Sequence, residues 1–155
     1  MLISIRREPE SVAELSLVDL SPTPKWRVFT GHESVLPGTS SGSGDDLVWS
    51  VSPGEWTVLG RRPDNAVDLT HVRSMFRLTG AGAVGLLTRV CPLDLDDAMF
   101  PDGAAARSSL AGVATEIVRD DVGDTSSYLL LPSRSFSVYV REVIVDAGAE
   151  FGLSS

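Results

Sequence analysis

Apolar and polar positions along the chain alternate with a period of two in several short runs and switch to a helical period in two places. Residues 26–30 (Trp-Arg-Val-Phe-Thr) alternate after Pro22 and Pro24, whose fixed φ gives an extended lead, which predicts a short strand with Arg27 on its polar face. Residues 34–46 are rich in Gly and Ser and have little to offset the entropy of a fixed conformation, so a mobile loop is expected there. Leu47–Val51 and Glu55–Leu59 flank Ser52-Pro53-Gly54, a turn sequence with one fixed and one free φ, and read as a β-hairpin. Met75–Leu78 reads as a strand that turns through small residues into a helix over Ala83–Val90, which Pro92 ends. Phe100–Ser109, rich in Gly and Ala, reads as a connector, and Val113–Val118 with Tyr128–Leu131 as a strand pair across an acidic turn. Beyond a cap at Ser133 or Ser135, a last helix places Phe136, Val140, Val143, Ile144 and Ala147 on one face, with Gly148 as its stop.

One pattern recurs. Asp19-Leu20-Ser21 and Asp68-Leu69-Thr70 each precede, at the same offset, a Thr-Gly pair, Thr30-Gly31 and Thr79-Gly80. In both stretches an Asx-turn signal leads into a strand that exits at glycine, so residues 19–31 and 68–80 read as copies of one unit. The length fits one compact domain or two very small ones, and the repeat favours a duplicated architecture.

Charge and composition then narrow the function. The net charge of −8, from 13 Lys and Arg against 21 Asp and Glu, opposes the neutralisation of phosphates that nucleic-acid binding requires, and argues equally against anionic membrane surfaces. The opening decapeptide lacks the apolar stretch of a secretion signal, and no run approaches the roughly 18 apolar residues of a membrane span, so a cytoplasmic location is expected. A lone Cys91 supports neither a disulfide nor a thiolate metal site.

No catalytic set emerges from the candidate residues. Gly80, Gly82 and Gly85 form a literal G-x-G-x-x-G between a strand and a helix, the context of a dinucleotide site. Arg77 sits inside that strand, where a central parallel strand is apolar throughout, and the chain lacks repeated strand-helix alternation. The glycines therefore read as a tight turn and a close packing site. His32 and His71 are the only histidines, too few for a three-histidine metal site. Cys91 before Pro92 reads as a small buried hydrophobe in preference to a nucleophile paired with His71. Asp94, Asp96 and Asp97 lack the spacing and glycine of a calcium loop and read as a solvated turn. Trp26, Trp49 and Trp56, with arginine as 12 of the 13 basic residues, match the composition of protein-binding surfaces, so a binding partner is favoured over an independent enzyme.

The run Val67-Asp68-Leu69-Thr70-His71-Val72-Arg73, then Leu78-Thr79-Gly80, Cys91-Pro92-Leu93-Asp94-Leu95, Phe100, Gly103, and Arg134-Ser135-Phe136 with Tyr139 resembles the gamma subunit of heterotetrameric sarcosine oxidase. Leu36-Pro37-Gly38 and Ser52-Pro53-Gly54-Glu55-Trp56 extend the resemblance upstream. It implies a single domain over 1–155 of the aminomethyltransferase-like, folate-binding fold group, an α+β arrangement of two related β-rich halves with packed helices. It also implies a non-catalytic small subunit that binds no cofactor itself and stabilises assembly by packing on the large (alpha) subunit. The complex so implied oxidatively demethylates sarcosine, with FAD, FMN and NAD held by other chains and tetrahydrofolate taking the one-carbon unit. Trp56, Asp68, Arg73, Cys91, Pro92, Asp94, Arg134 and Phe136 are the family-like positions, with structural or interface roles. Trp49 stands one position earlier than the family's first tryptophan, Asp96 replaces a frequent histidine and Gly54 an acidic residue, departures that leave a related methylamine open as substrate. The alternative reading is a stand-alone tetrahydrofolate-binding or one-carbon-transfer protein of the same fold.

Overall fold

A computed structural model describes residues 15–153. The opening decapeptide, which was read for a secretion signal, lies outside them. Ten strands form two antiparallel five-stranded sheets: β1 (Ser16–Asp19), β2 (Lys25–Val28), β3 (Thr39–Ser41), β4 (Val48–Ser52), β5 (Glu55–Leu59), β6 (Val67–Asp68), β7 (Phe76–Thr79), β8 (Ala105–Leu110), β9 (Val113–Arg119) and β10 (Ser127–Pro132). Helix α1 (Ala83–Val90) follows β7, and α2 (Ser137–Gly148) follows a 3-10 turn at Arg134–Phe136. The first sheet runs β1-β7-β10-β9-β8 and the second, read from its other edge, β6-β2-β5-β4-β3. Strands at the same place in the two orders are five apart in the chain. The edge strands are exchanged: β1 pairs with β7 of the second half, and β6 with β2 of the first.

Alternation along the strands divides the side chains between two layers, as the period of a pleated strand requires. Phe76, Leu78, Ile117 and Leu130 face the helices and pack with Leu86, Leu87, Val140 and Ile144. On the opposite face of the first sheet, Val118, Leu129 and Leu131 meet Leu47, Trp49 and Leu59 of the second. The order of layers is thus helices, first sheet, second sheet. The outer face of the second sheet carries only a small cluster around Val28, Val35 and Trp56.

The hairpin at Ser52–Glu55 turns on Gly54 at φ 80°, and α1 has the predicted bounds. Other expectations are corrected. Residues 34–46 are not one loop, because Thr39–Ser41 pairs with Ser50–Val48 as edge strand β3. Phe100–Ser109 is not a connector throughout, since β8 pairs along its whole length with β9. The last helix does end at Gly148, which is its final helical residue and not the residue beyond it, and a 3-10 turn over Ala149–Phe151 leads to the reversal at Gly152, φ 89°. Phe136 is exposed, off the buried face that Val140 and Ile144 form. Neither Ser133 nor Ser135 caps the helix through its side chain. The two Thr-Gly pairs are also out of step. Trp26 lies opposite Asp68 and Phe76 opposite Asp19, which equates residues 26 and 76 and shifts the second copy by one residue.

Candidate functional site

Polar side chains gather in three places, each set by strand parity. Glu116 falls on the inward face of β9 and is 1% exposed between the sheets. Trp49 Nε1 donates to its Oε1 at 2.8 Å, Arg107 to its Oε2 at 3.0 Å and Arg27 at 3.4 Å, while Arg73 stands 3.9 Å away. Burial pushes the Glu116 carboxyl up, but the Trp49 and Arg107 hydrogen bonds and the charges of Arg73 and Arg27 outweigh it and hold its pKa below the usual carboxylate range. Glu55 extends the network, 3.0 Å from Arg27.

A second group centres on Arg119, which bonds Asp97 at 2.6 Å, Asp121 at 3.0 Å and the Phe100 carbonyl at 2.9 Å and lies over the Tyr128 ring. The Asp121 hydrogen bond makes this guanidinium hold its proton more tightly. The buried Tyr128 hydroxyl has no hydrogen-bond partner among the described residues, and burial raises its pKa.

The third place is a cleft of about 320 Å³ where the two Asp-Leu-Ser/Thr turns meet. The turns are near-identical: Ser21 N donates to Asp19 Oδ1 and Thr70 N to Asp68 Oδ1, both at 2.8 Å. Leu20 N reaches the Met75 carbonyl and Leu69 N the Lys25 carbonyl, again both at 2.8 Å. Arg73, Arg134 and His71 line this cleft, and a β-bridge from Arg73 to Ser133 holds the turn beside the start of α2.

The structure thus brings Arg73 and Arg134 together and scatters the other family-like residues. Trp56 is buried on the outer face of the second sheet, donating to the Val35 carbonyl at 2.9 Å. Asp68 serves its turn, and Asp94 accepts from Asp96 N at 3.1 Å. Cys91 is buried with Sγ 3.7 Å from Ser108 Oγ, and with Pro92 and Tyr139 it borders a separate open cleft, away from His71. Phe136 stands exposed beside Arg134. Trp49 faces inward and Trp56 outward, with a β-bulge between Trp49 and Ser52, so of the three tryptophans only Trp26 is left half-exposed, under Arg62.

Among the described residues no three His, Cys, Asp or Glu side chains gather as a metal site. A dinucleotide does not fit the glycine run. Its strand, β7, is antiparallel to both neighbours, and a Cβ at Gly85 would stand 2.6 Å from the Phe151 ring. Sequence reasoning missed Glu116, Arg107 and Arg119. A lone carboxylate inside the apolar run Val113–Val118 was the available signal for Glu116, since such a residue is buried with partners or not at all.

With the sheets and the cleft defined, comparison with known proteins separates the readings. The chain is 33% identical over 93 residues, 60% of its length, to sarcosine oxidase subunit gamma of Corynebacterium sp. strain U-96. The chain is similar to the gamma subunit of sarcosine oxidase. The same subunit from strain P-1 matches at 33% and that from Arthrobacter sp. at 32%, over the same length. The match spans 44% of each relative, less than half its length. No family model matches the chain. In three dimensions it superimposes on a chain of the heterotetrameric sarcosine oxidase from Corynebacterium sp. U-96 in complex with pyrrole 2-carboxylate. The TM-score is 0.77 at 22% identity, covering 91% of this chain and 87% of the other. The α+β fold with two antiparallel sheets is therefore shared with that oxidase. No helix among the described residues is long and apolar enough to cross a membrane.

Proposed function

We propose that this chain is a non-catalytic small subunit of a sarcosine oxidase-like complex, and that it stabilises the assembly by packing on a larger subunit. The observation that carries this reading is its similarity to three gamma subunits, in a chain whose fold recurs in the heterotetrameric enzyme. The spread of the family-like residues supports it as well. Trp56, Asp68, Cys91 and Asp94 each serve local structure, while Arg134 and Phe136 are left on the surface. The reaction is oxidative demethylation of sarcosine or a related methylamine by the complex. FAD, FMN, NAD and tetrahydrofolate belong to other chains of it, and the location is cytoplasmic. The chain is one domain of the aminomethyltransferase-like fold group, and its halves are copies of a single unit; the matching strand orders support that descent.

Affinity purification of the tagged chain from its native cells, followed by a visible absorption spectrum, tests the reading. A yellow complex with larger chains that oxidises sarcosine or another methylamine is expected. A colourless chain that elutes alone and binds tetrahydrofolate would overturn it.

A further inference from the structure

We propose that the cleft between the two Asx turns is an anion site that takes one carboxylate or phosphate group of a small molecule. This inference goes beyond the subunit reading and stands or falls without it. Each half of the chain contributes to the site: Asp19 and Ser21 from the first turn, Thr70 and Arg73 from the second, with Arg134 and Ser137 at the start of α2. Its volume, about 320 Å³, is at the small end of ligand pockets.

Charge selects the class of ligand. Arg73 spends one donor on the Leu131 carbonyl at 3.2 Å, and its nearest carboxylate, Glu116, is already held by Arg27 and Arg107. Arg134 is exposed and has no ion pair within 4 Å among the described residues. Beneath them lies Lys25, fully buried, its Nζ donating to the Thr23 carbonyl at 2.9 Å and the Thr70 carbonyl at 3.2 Å. Both nearby carboxylates, Asp19 and Asp68, accept backbone N–H groups of their own turns. Arg73 and Arg134 thus line the cleft against one lining carboxylate, Asp19, a positive spot on a chain of net charge −8. Ser74 and Ser137 place hydroxyls around the cleft, the donors that oxyanions use beside arginine, while the Ser21 and Thr70 hydroxyls are engaged by Met75 and Lys25.

Isothermal titration of the full chain at low ionic strength, with inorganic phosphate in one arm and acetate in the other, tests the proposal. Saturable one-to-one binding of at least one anion is expected, and which one saturates tells phosphate from carboxylate chemistry. Arg134→Gln, at an exposed position, should weaken binding about ten-fold or more without changing Tm. Arg89→Gln, on the helix side and paired with Glu150, should leave it unchanged. If neither anion saturates on the wild-type chain, or if Arg134→Gln binds as tightly as Arg89→Gln, the proposal is wrong.

Discussion

Glu116 illustrates how a single side chain can lock two sheets together. Its carboxylate comes from β9 of the first sheet, and two of the groups that satisfy it, Trp49 and Arg27, come from the second, with Arg107 from β8 of its own. Removing it would leave Arg27, Arg73 and Arg107 facing one another with only Glu55 to answer them. Glu116→Ala should therefore cost about 3–5 kcal/mol, read from the urea midpoint, because breaking a buried pair strands its partners. The sign of the pH dependence follows from the lowered pKa. Stability from this group is present in full above the ordinary glutamate value of about 4.3 and is lost as pH falls through the lower folded value. Glu116→Gln should flatten that part of the acid-denaturation curve; an unchanged curve would show that other carboxylates set it.

At the scale of elements, two positions carry tests of packing. The β8–β9 turn is a two-residue connection with Ala111 at φ 53° and Gly112 at φ 81°, the primed geometry that favours Asn-Gly. Ala111→Asn keeps the backbone N–H bonded to Val90 and relieves an alanine held in the left-handed region, so it should stabilise the chain by about 1 kcal/mol in thermal unfolding. Gly148 is needed for space. A Cβ there would stand 2.8 Å from both Leu153 Cβ and Leu86 Cδ1, an overpacking that costs about 1–3 kcal/mol against a helix-propensity gain of about 1 kcal/mol. Gly148→Ala should be destabilising on balance, and a rise in Tm would refute the close approach.

The same elements show what was legible in the sequence. Helix α1 was readable because its small-residue start, apolar face and following proline all agree. The β4–β5 hairpin was readable because Pro53-Gly54 interrupts two alternating runs. Strands β3 and β8 were not, since their residues are mostly Ala and Ser, and what makes them strands is pairing with β4 and β9 at sheet edges. The end of the last helix at Gly148 was readable from the glycine, but its close approach to Leu153 from beyond the helix was not. Of the candidate site, Arg73 and Arg134 were marked by the family resemblance. Their meeting in one cleft depends on a bridge between Arg73 and Ser133, 60 residues apart in the chain, which no local pattern records.

At the scale of the molecule, the two sheets follow one strand plan, yet among the described residues only one of their outer faces is covered by helices. The exchanged edge strands β1 and β6 tie the halves together, which places the paired Asx turns, and the cleft between them, where the halves meet. The described residues carry buried charge networks, one of which holds the two sheets together, and the role proposed for the chain is that of a supporting subunit. The most direct test of that role is native mass spectrometry of the assembly purified from its own cells. The account predicts this 16.5 kDa chain at fixed stoichiometry within a complex of dissimilar larger chains, dissociating only under activation. A free 16.5 kDa monomer, alongside a fully active methylamine oxidase that lacks it, would contradict the account.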